Sequence, residues 1–170
     1  MADQQRYFFL NLTASGVTGP CQKAGHVGWL ELDSWNFSLE QKVNQNVGAG
    51  GATKTNAVGR FGFSIKHIGP RIFGLGSIGS FIAQPITFEA ERSGMVPVAG
   101  AGTANLVYLQ IVFTKAVISS RSLGGDDGIK DEHVNLVFQT VQFKYTQITD
   151  GAIGSSFTKI FDAKSGGVTG

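Results

Sequence analysis

Apolar and polar residues alternate with a period of two along most of the chain, the repeat of a half-buried strand. The clearest stretch is 134–147 (VNLVFQTVQFKYTQ), in which Val134, Leu136 and Phe138 form one apolar row and Val141, Phe143 and Tyr145 another. The row moves from even to odd positions near Gln139 and Thr140. A slip of one residue turns the other face inward unless a residue bulges out, so this stretch predicts a long strand with a bulge or a switch between sheets. A second long strand is expected at 29–42 (WLELDSWNFSLEQK), with a similar slip at Asp33 and Ser34. Beyond it Trp35, Phe37 and Leu39 point inward, while Asn36, Ser38, Glu40 and Lys42 form an unbroken polar face.

Further strands are expected at 7–13, 58–68, 85–92 and 105–120, with a weak one at 156–161. In 58–68, Phe61, Phe63 and Ile65 face the core, and Arg60, Ser64 and Lys66 face water; in 105–120 the buried row is Val107, Leu109, Ile111 and Phe113. Segment 43–56 (VNQNVGAGGATKTN) reads as a long loop, 94–104 as a turn, and 123–130 (LGGDDGIK) as a hairpin-type turn, because Gly and Asp tolerate positive φ. Only 70–82 reads as a helix: Pro70 suits a first turn, and Ile72, Leu75, Ile78 and Ile82 recur at helical spacing. Its glycines Gly74, Gly76 and Gly79 each weaken it by about 1 kcal/mol relative to alanine.

Composition sharpens this picture. A chain of 170 residues suits one domain, and 24 glycines with 13 phenylalanines suit turns and aromatic strands, so the leading class is mostly β. Only 15% of residues are charged against 42% hydrophobic, a low share for a small monomer, which implies that neighbours cover part of the surface. The net charge of +2 comes from dispersed residues with no basic block, so nucleic acid is not an expected partner. Cys21, the single cysteine, cannot build an internal disulfide framework. The first residues lack a signal-peptide pattern and no apolar run is long enough to cross a bilayer, so the expectation is a soluble chain made in the cytoplasm, without membrane insertion.

The chemical motifs fail in context. GLGSIG at 74–79 has dinucleotide spacing but is followed too soon by Pro85 for a full helix, and GAGGATKT at 48–55 has Thr53 where a phosphate-binding loop needs glycine. His26, His67 and His133 lack partners at metal spacing, and Asp126, Asp127, Asp131 and Glu132 miss the calcium-loop pattern. The sequons at Asn11 and Asn36 fall inside expected strands. With no carboxylate pair or Ser/His/Asp grouping, neither a catalytic residue nor a cofactor or metal is expected.

Two stretches, 32–41 (LDSWNFSLEQ) and 111–147, which joins a strand, a Gly/Asp hairpin and a V-x-F-x-Y strand, resemble the haemolysin-coregulated protein (Hcp) family, the tube protein of bacterial type VI secretion. The spacing agrees from Phe8 to about Ile148; departures are the glycine-heavy helix, the turn at 96–103, and the tail, where Phe161 replaces an aromatic usually seen as tryptophan. The resemblance implies a two-sheet β-barrel or sandwich with one flanking helix, closing into six-membered rings that stack as a hollow tube. It implies a tube domain over residues 1–150 and a C-terminal strand with a Gly/Ser-rich tail over 151–170. Ser34, Asn36, Ser38 and Glu40 are then expected to face the lumen, and Trp35, Phe37, Phe138, Phe143 and Tyr145 to form the core of the tube strands. Asn46, Val47, Gly48, Gly50, Thr53 and Lys54 are expected in a ring-stacking loop. Implied partners are further copies of the chain, a contractile sheath, a spike protein and effectors in the lumen, with assembly in the bacterial cytoplasm followed by export without a signal peptide. Two rivals are a monomeric ligand-binding β-sandwich and a nucleotide-using enzyme built on the glycine loops.

Overall fold

Residues at which the apolar row of a strand changes phase are the residues at which the chain passes from one sheet to the other. The structure, a computed structural model, describes residues 6–40, 43–45, 52–54, 57–66, 79, 81–82, 84–98, 102–124, 131–149, 152–164 and 167–169. In chain order the strands are Arg6–Asn11 (β1), Leu30–Leu32 (β2), Ser34–Glu40 (β3), Val43–Gln45 (β4), Ala52–Lys54 (β5), Val58–Lys66 (β6) and Phe81–Ile82 (β7). There follow Ile86–Val98 (β8), Gly102–Thr114 (β9), Ala116–Gly124 (β10), Asp131–Phe138 (β11), Thr140–Thr149 (β12), Ala152–Asp162 (β13) and Gly167–Thr169 (β14). A 3₁₀ turn covers Thr13–Ser15.

A seven-stranded sheet has the order β14-β13-β12-β9-β8-β1-β2, and a five-stranded sheet the order β3-β6-β11-β10-β7. The described pairings within them are antiparallel. Asp33 separates β2 in the larger sheet from β3 in the smaller, with its N–H donating to Ser64 O at 3.0 Å. Gln139 separates β11 from β12 in the same way, so the slips expected at both places are switches between sheets. Lys115, a non-glycine at φ 51°, makes a third switch between β9 and β10, where the pattern had predicted one uninterrupted strand. The cause is again a phase change: Ile111 and Phe113 are buried on one side of it, Ala116 and Ile118 on the other.

The inner faces meet in an aromatic core. Phe61, fully buried, has its ring centroid 4.7 Å from Phe113, 5.3 Å from Phe88 and 5.9 Å from Phe63. Phe113 continues the chain to Phe138 at 4.9 Å. Offset and edge-on contacts at such distances add about 0.5–1.5 kcal/mol per pair to burial itself. Trp35 packs on Phe88 at 4.7 Å, and Phe37 meets Phe143 edge-on at 4.8 Å; all four are at least partly buried against the core, as is Phe138.

Tyr145 differs from the expectation: it is 48% exposed. Its lateral neighbours are Leu109 and Phe157, and Phe157 is itself exposed, so this row of β12 lies past the place where Phe143 makes the last ring contact to the smaller sheet among the described residues. The turn expected over 94–104 is mostly strand, because β8 and β9 run on and pair as far as Val98 with Gly102. The tail adds two strands rather than one; Ala163 N–H donates to Gln139 O at 2.8 Å and Ala57 N–H to Ala163 O at 3.2 Å, which ties the segment after β13 to the corner at Gln139.

The helix expected over 70–82 lies outside the described residues except for Gly79, a turn residue at φ 95°, and Phe81–Ile82, which pair with Val117 and Ala116 as strand. In the segment read as a long loop, Val43–Gln45 and Ala52–Lys54 pair as a separate two-stranded ribbon that includes Thr53 and Lys54. Asn46, Val47, Gly48 and Gly50 lie outside the described residues.

Candidate functional site

β3 is an edge strand, and its alternation places Trp35 and Phe37 against the core and Ser34, Asn36, Ser38 and Glu40 on the outer surface. Cross-strand register carries this polar face across the smaller sheet in rows. Ser34 stands opposite Ser64, which stands opposite His133 and then Ser122; Asn36 leads to Gly62, Asn135 and Ser120; Ser38 leads to Arg60, Val137 and Val117. Residues directly opposite on antiparallel strands share a face, so three of four β3 positions expected to be polar belong to rows that span at least four strands.

The first two rows are held by side-chain hydrogen bonds. Ser34 Oγ and Ser64 Oγ are 2.6 Å apart, Gly62 N–H donates to Asn36 Oδ1 at 3.2 Å, and Asn135 Nδ2 donates to Ser120 Oγ at 2.9 Å. Ser119, the residue of the register shift in β10, donates its hydroxyl to Asn135 O at 3.0 Å. A pocket of about 210 Å³ opens among Ser34, Asn36, Gly62, His133 and Asn135. The third row is different: from Arg60 it runs through Val137 and Val117 to Phe81, the last 72% exposed. One face therefore offers amides and hydroxyls at one end and an apolar patch with a cation at the other.

The outer face of the larger sheet carries a second polar cluster that sequence spacing did not indicate. His26, 3% exposed, stacks on Phe9 at 4.2 Å and meets Trp29 edge-on at 4.7 Å. Its Nε2 donates to Glu89 Oε2 at 2.7 Å, and Gln110 Nε2 donates to the other Glu89 oxygen at 2.6 Å. Lys23 pairs with buried Glu91 while lying over the rings of Tyr7 and Phe9. These contacts press the segment after the 3₁₀ turn onto β1 and β8, with the buried charges paired as their burial requires. Among the described residues no group of three His, Cys, Asp or Glu side chains converges as a metal-ligand set.

Glu132 is a buried acid of another kind. It is 1% exposed on the core side of β11, between Ile65 and Leu123, and among the described residues neither carboxylate oxygen has a hydrogen-bond partner. Burial raises its pKa above the usual glutamate value, and the Arg121 guanidinium pulls the other way. A folded-state pKa above the unfolded one means that the native state holds the extra proton, so stability falls as pH rises from the unfolded value through the raised one. Glu132→Gln is expected to raise unfolding stability by about 1 kcal/mol at pH 8, with the gain vanishing near pH 4. Urea titrations at the two pH values check it, and an equal gain at both counts against a charge effect.

No protein-family model matches the sequence, and no curated protein matches it. Solved structures do match. Hcp1 from Salmonella typhimurium superposes with a TM-score of 0.70 at 22% identity, over 96% of this chain and 99% of that one. A structure described as a type six secretion system protein gives 0.66 at 15% identity, over 98% and 100%.

The chain has the Hcp fold. A second Hcp protein, Hcp2 from the same organism, gives a TM-score of 0.60 at 22% identity, over 95% and 98%. On this Hcp fold, Ser34, Asn36, Ser38 and Glu40 come together with Arg60, Ser64, His133 and Asn135, and Gly62 joins them. The alternation of β6 signalled Arg60 and Ser64 in advance, whereas Gly62 and Asn135 enter only through register.

Proposed function

We propose that the protein is a structural subunit of a type VI secretion tube. The observation that carries this reading is the end-to-end likeness to Hcp1, which covers 96% of this chain and 99% of that chain. In this reading six copies join side to side, the outer face of the smaller sheet walls the channel, and rings stack through the segment that includes Asn46 to Lys54. Effectors travel in the lumen, a sheath drives the tube, and a spike caps it. Assembly takes place in the bacterial cytoplasm before expulsion, and the subunit has no catalytic role. Edge strands β2, β3, β7 and β14, each paired on one side only among the described residues, and the exposed apolar residues Tyr145, Ile153 and Phe157 on β12 and β13 support the lateral joining.

Light scattering on the purified chain tests the ring: the reading expects a particle of about six subunits, and a monomer at every concentration and salt overturns it. Asn36→Trp tests the face. The variant is expected to form rings of normal size and to retain less effector in a pull-down, because the indole fills the surface that would line the channel. Failure to assemble would place Asn36 in a subunit contact instead.

A further inference from the structure

Gly62 lies in the interior of β6, where a glycine weakens a strand, and it does not have the positive φ that would demand one. Space explains it better. A Cβ on Gly62 would meet Asn36 Oδ1 at 2.7 Å, Asn135 Oδ1 at 2.7 Å and Asn36 Nδ2 at 3.0 Å. The absent side chain lets two amides, one from each neighbouring strand, converge over the Gly62 backbone at the mouth of the 210 Å³ pocket.

Half of each amide is already engaged. Asn36 Oδ1 accepts from Gly62 N–H, and Asn135 Nδ2 donates to Ser120 Oγ, which orients both side chains before any ligand arrives. Among the described residues a donor, Asn36 Nδ2, and an acceptor, Asn135 Oδ1, remain without partners and border one opening. A residue in an extended chain presents its own N–H and C=O to the same side, as it does to a neighbouring strand in an antiparallel ladder. Its C=O matches the donor and its N–H the acceptor.

We propose that Asn36 and Asn135, spread over Gly62, form a subsite that binds the main chain of an extended polypeptide. Asn36 Nδ2 donates to the carbonyl of one peptide residue and Asn135 Oδ1 accepts from the N–H of the same residue. Such a subsite reads no side chain, so it suits a carrier of dissimilar cargoes; that role rests on the channel reading of this face, although the binding itself does not. Each ring would repeat the subsite once per subunit, and weak single contacts would add along one cargo chain.

The test uses an acetylated, amidated (Gly-Ser)6 peptide and its analogue with every residue's backbone nitrogen methylated, titrated into the full chain with ¹⁵N-labelled asparagine. The unmodified peptide is expected to shift the side-chain amide resonances of Asn36 and Asn135. The methylated analogue, in which no residue keeps its backbone N–H, is expected to bind roughly tenfold more weakly. Gly62→Ala, whose methyl displaces the ends of two asparagine side chains and no backbone, is expected to weaken the unmodified peptide by a similar factor. Asn135→Ser, which removes the acceptor and leaves Gly62 in place, is expected to do the same. Equal binding of both peptides, or unchanged binding by folded Gly62→Ala or Asn135→Ser, overturns the subsite. Light scattering on the same samples separates the two readings: rings whose asparagine resonances do not move refute the subsite alone, and shifted resonances in a permanent monomer support the subsite while refuting the channel.

Discussion

Phe61→Ala is expected to lower the stability of the chain by about 3–5 kcal/mol, the cost of removing a fully buried phenylalanine and leaving a cavity. The site has little room to collapse, because Phe61 is the ring on which Phe88 and Phe113 from the larger sheet and Trp35 and Phe63 from the smaller all converge. A whole domain is stable by only about 5–15 kcal/mol, so the variant is expected to be partly unfolded at growth temperature. Urea unfolding at fixed subunit concentration measures the loss, since assembly stabilises by mass action. A loss below about 1 kcal/mol would mean that the two sheets are not joined through this ring.

Gly19→Ala is expected to be nearly as harmful for a different reason. A Cβ on Gly19 would stand 2.0 Å from Trp29 O and 2.8 Å from Leu30 N, both backbone atoms that cannot swing aside. Gly19 N–H also donates to Gly28 O at 2.7 Å, and Gly28 N–H to Cys21 O at 2.9 Å, so the clash falls inside the small ladder that folds this segment back on itself. Overpacking of this kind costs about 3 kcal/mol, or a fall in Tm of roughly 6–12 °C for a chain of this length. The displaced segment should also uncover Cys21, which is buried in the native fold. Faster thiol labelling of Cys21 together with the lower Tm is the expected result; an unchanged Tm would show that the segment does not pack on β1 and β8 as described.

Much of the fold was legible because burial on strands repeats every two residues. The phase changes at Asp33 and Gln139 marked both of those sheet switches. The third, at Lys115, left the same mark in the move from Ile111 and Phe113 to Ala116 and Ile118, but a lysine at positive φ supplies no turn signal, so the sequence pattern runs straight through it as one strand. Tyr145 kept its phase and still lay outside the core, since alternation reports which side of a sheet a residue takes and not how far the opposite sheet extends. The site divides along similar lines. Ser34, Asn36 and Ser38 follow from one strand, whereas the Asn36–Gly62–Asn135 row depends on the register of three strands, and the His26–Glu89 contact joins residues 63 positions apart. Neither arrangement leaves a local pattern.

A reconstruction of the purified particle by electron cryomicroscopy would show whether the outer face of the smaller sheet walls a pore. The expected particle is a six-fold ring in which Ser34, Asn36, Ser38, Ser64 and Asn135 border the pore and the His26–Glu89 cluster lies away from it. A lone subunit, or a ring whose pore is bordered by any surface other than the outer face of the smaller sheet, would contradict it.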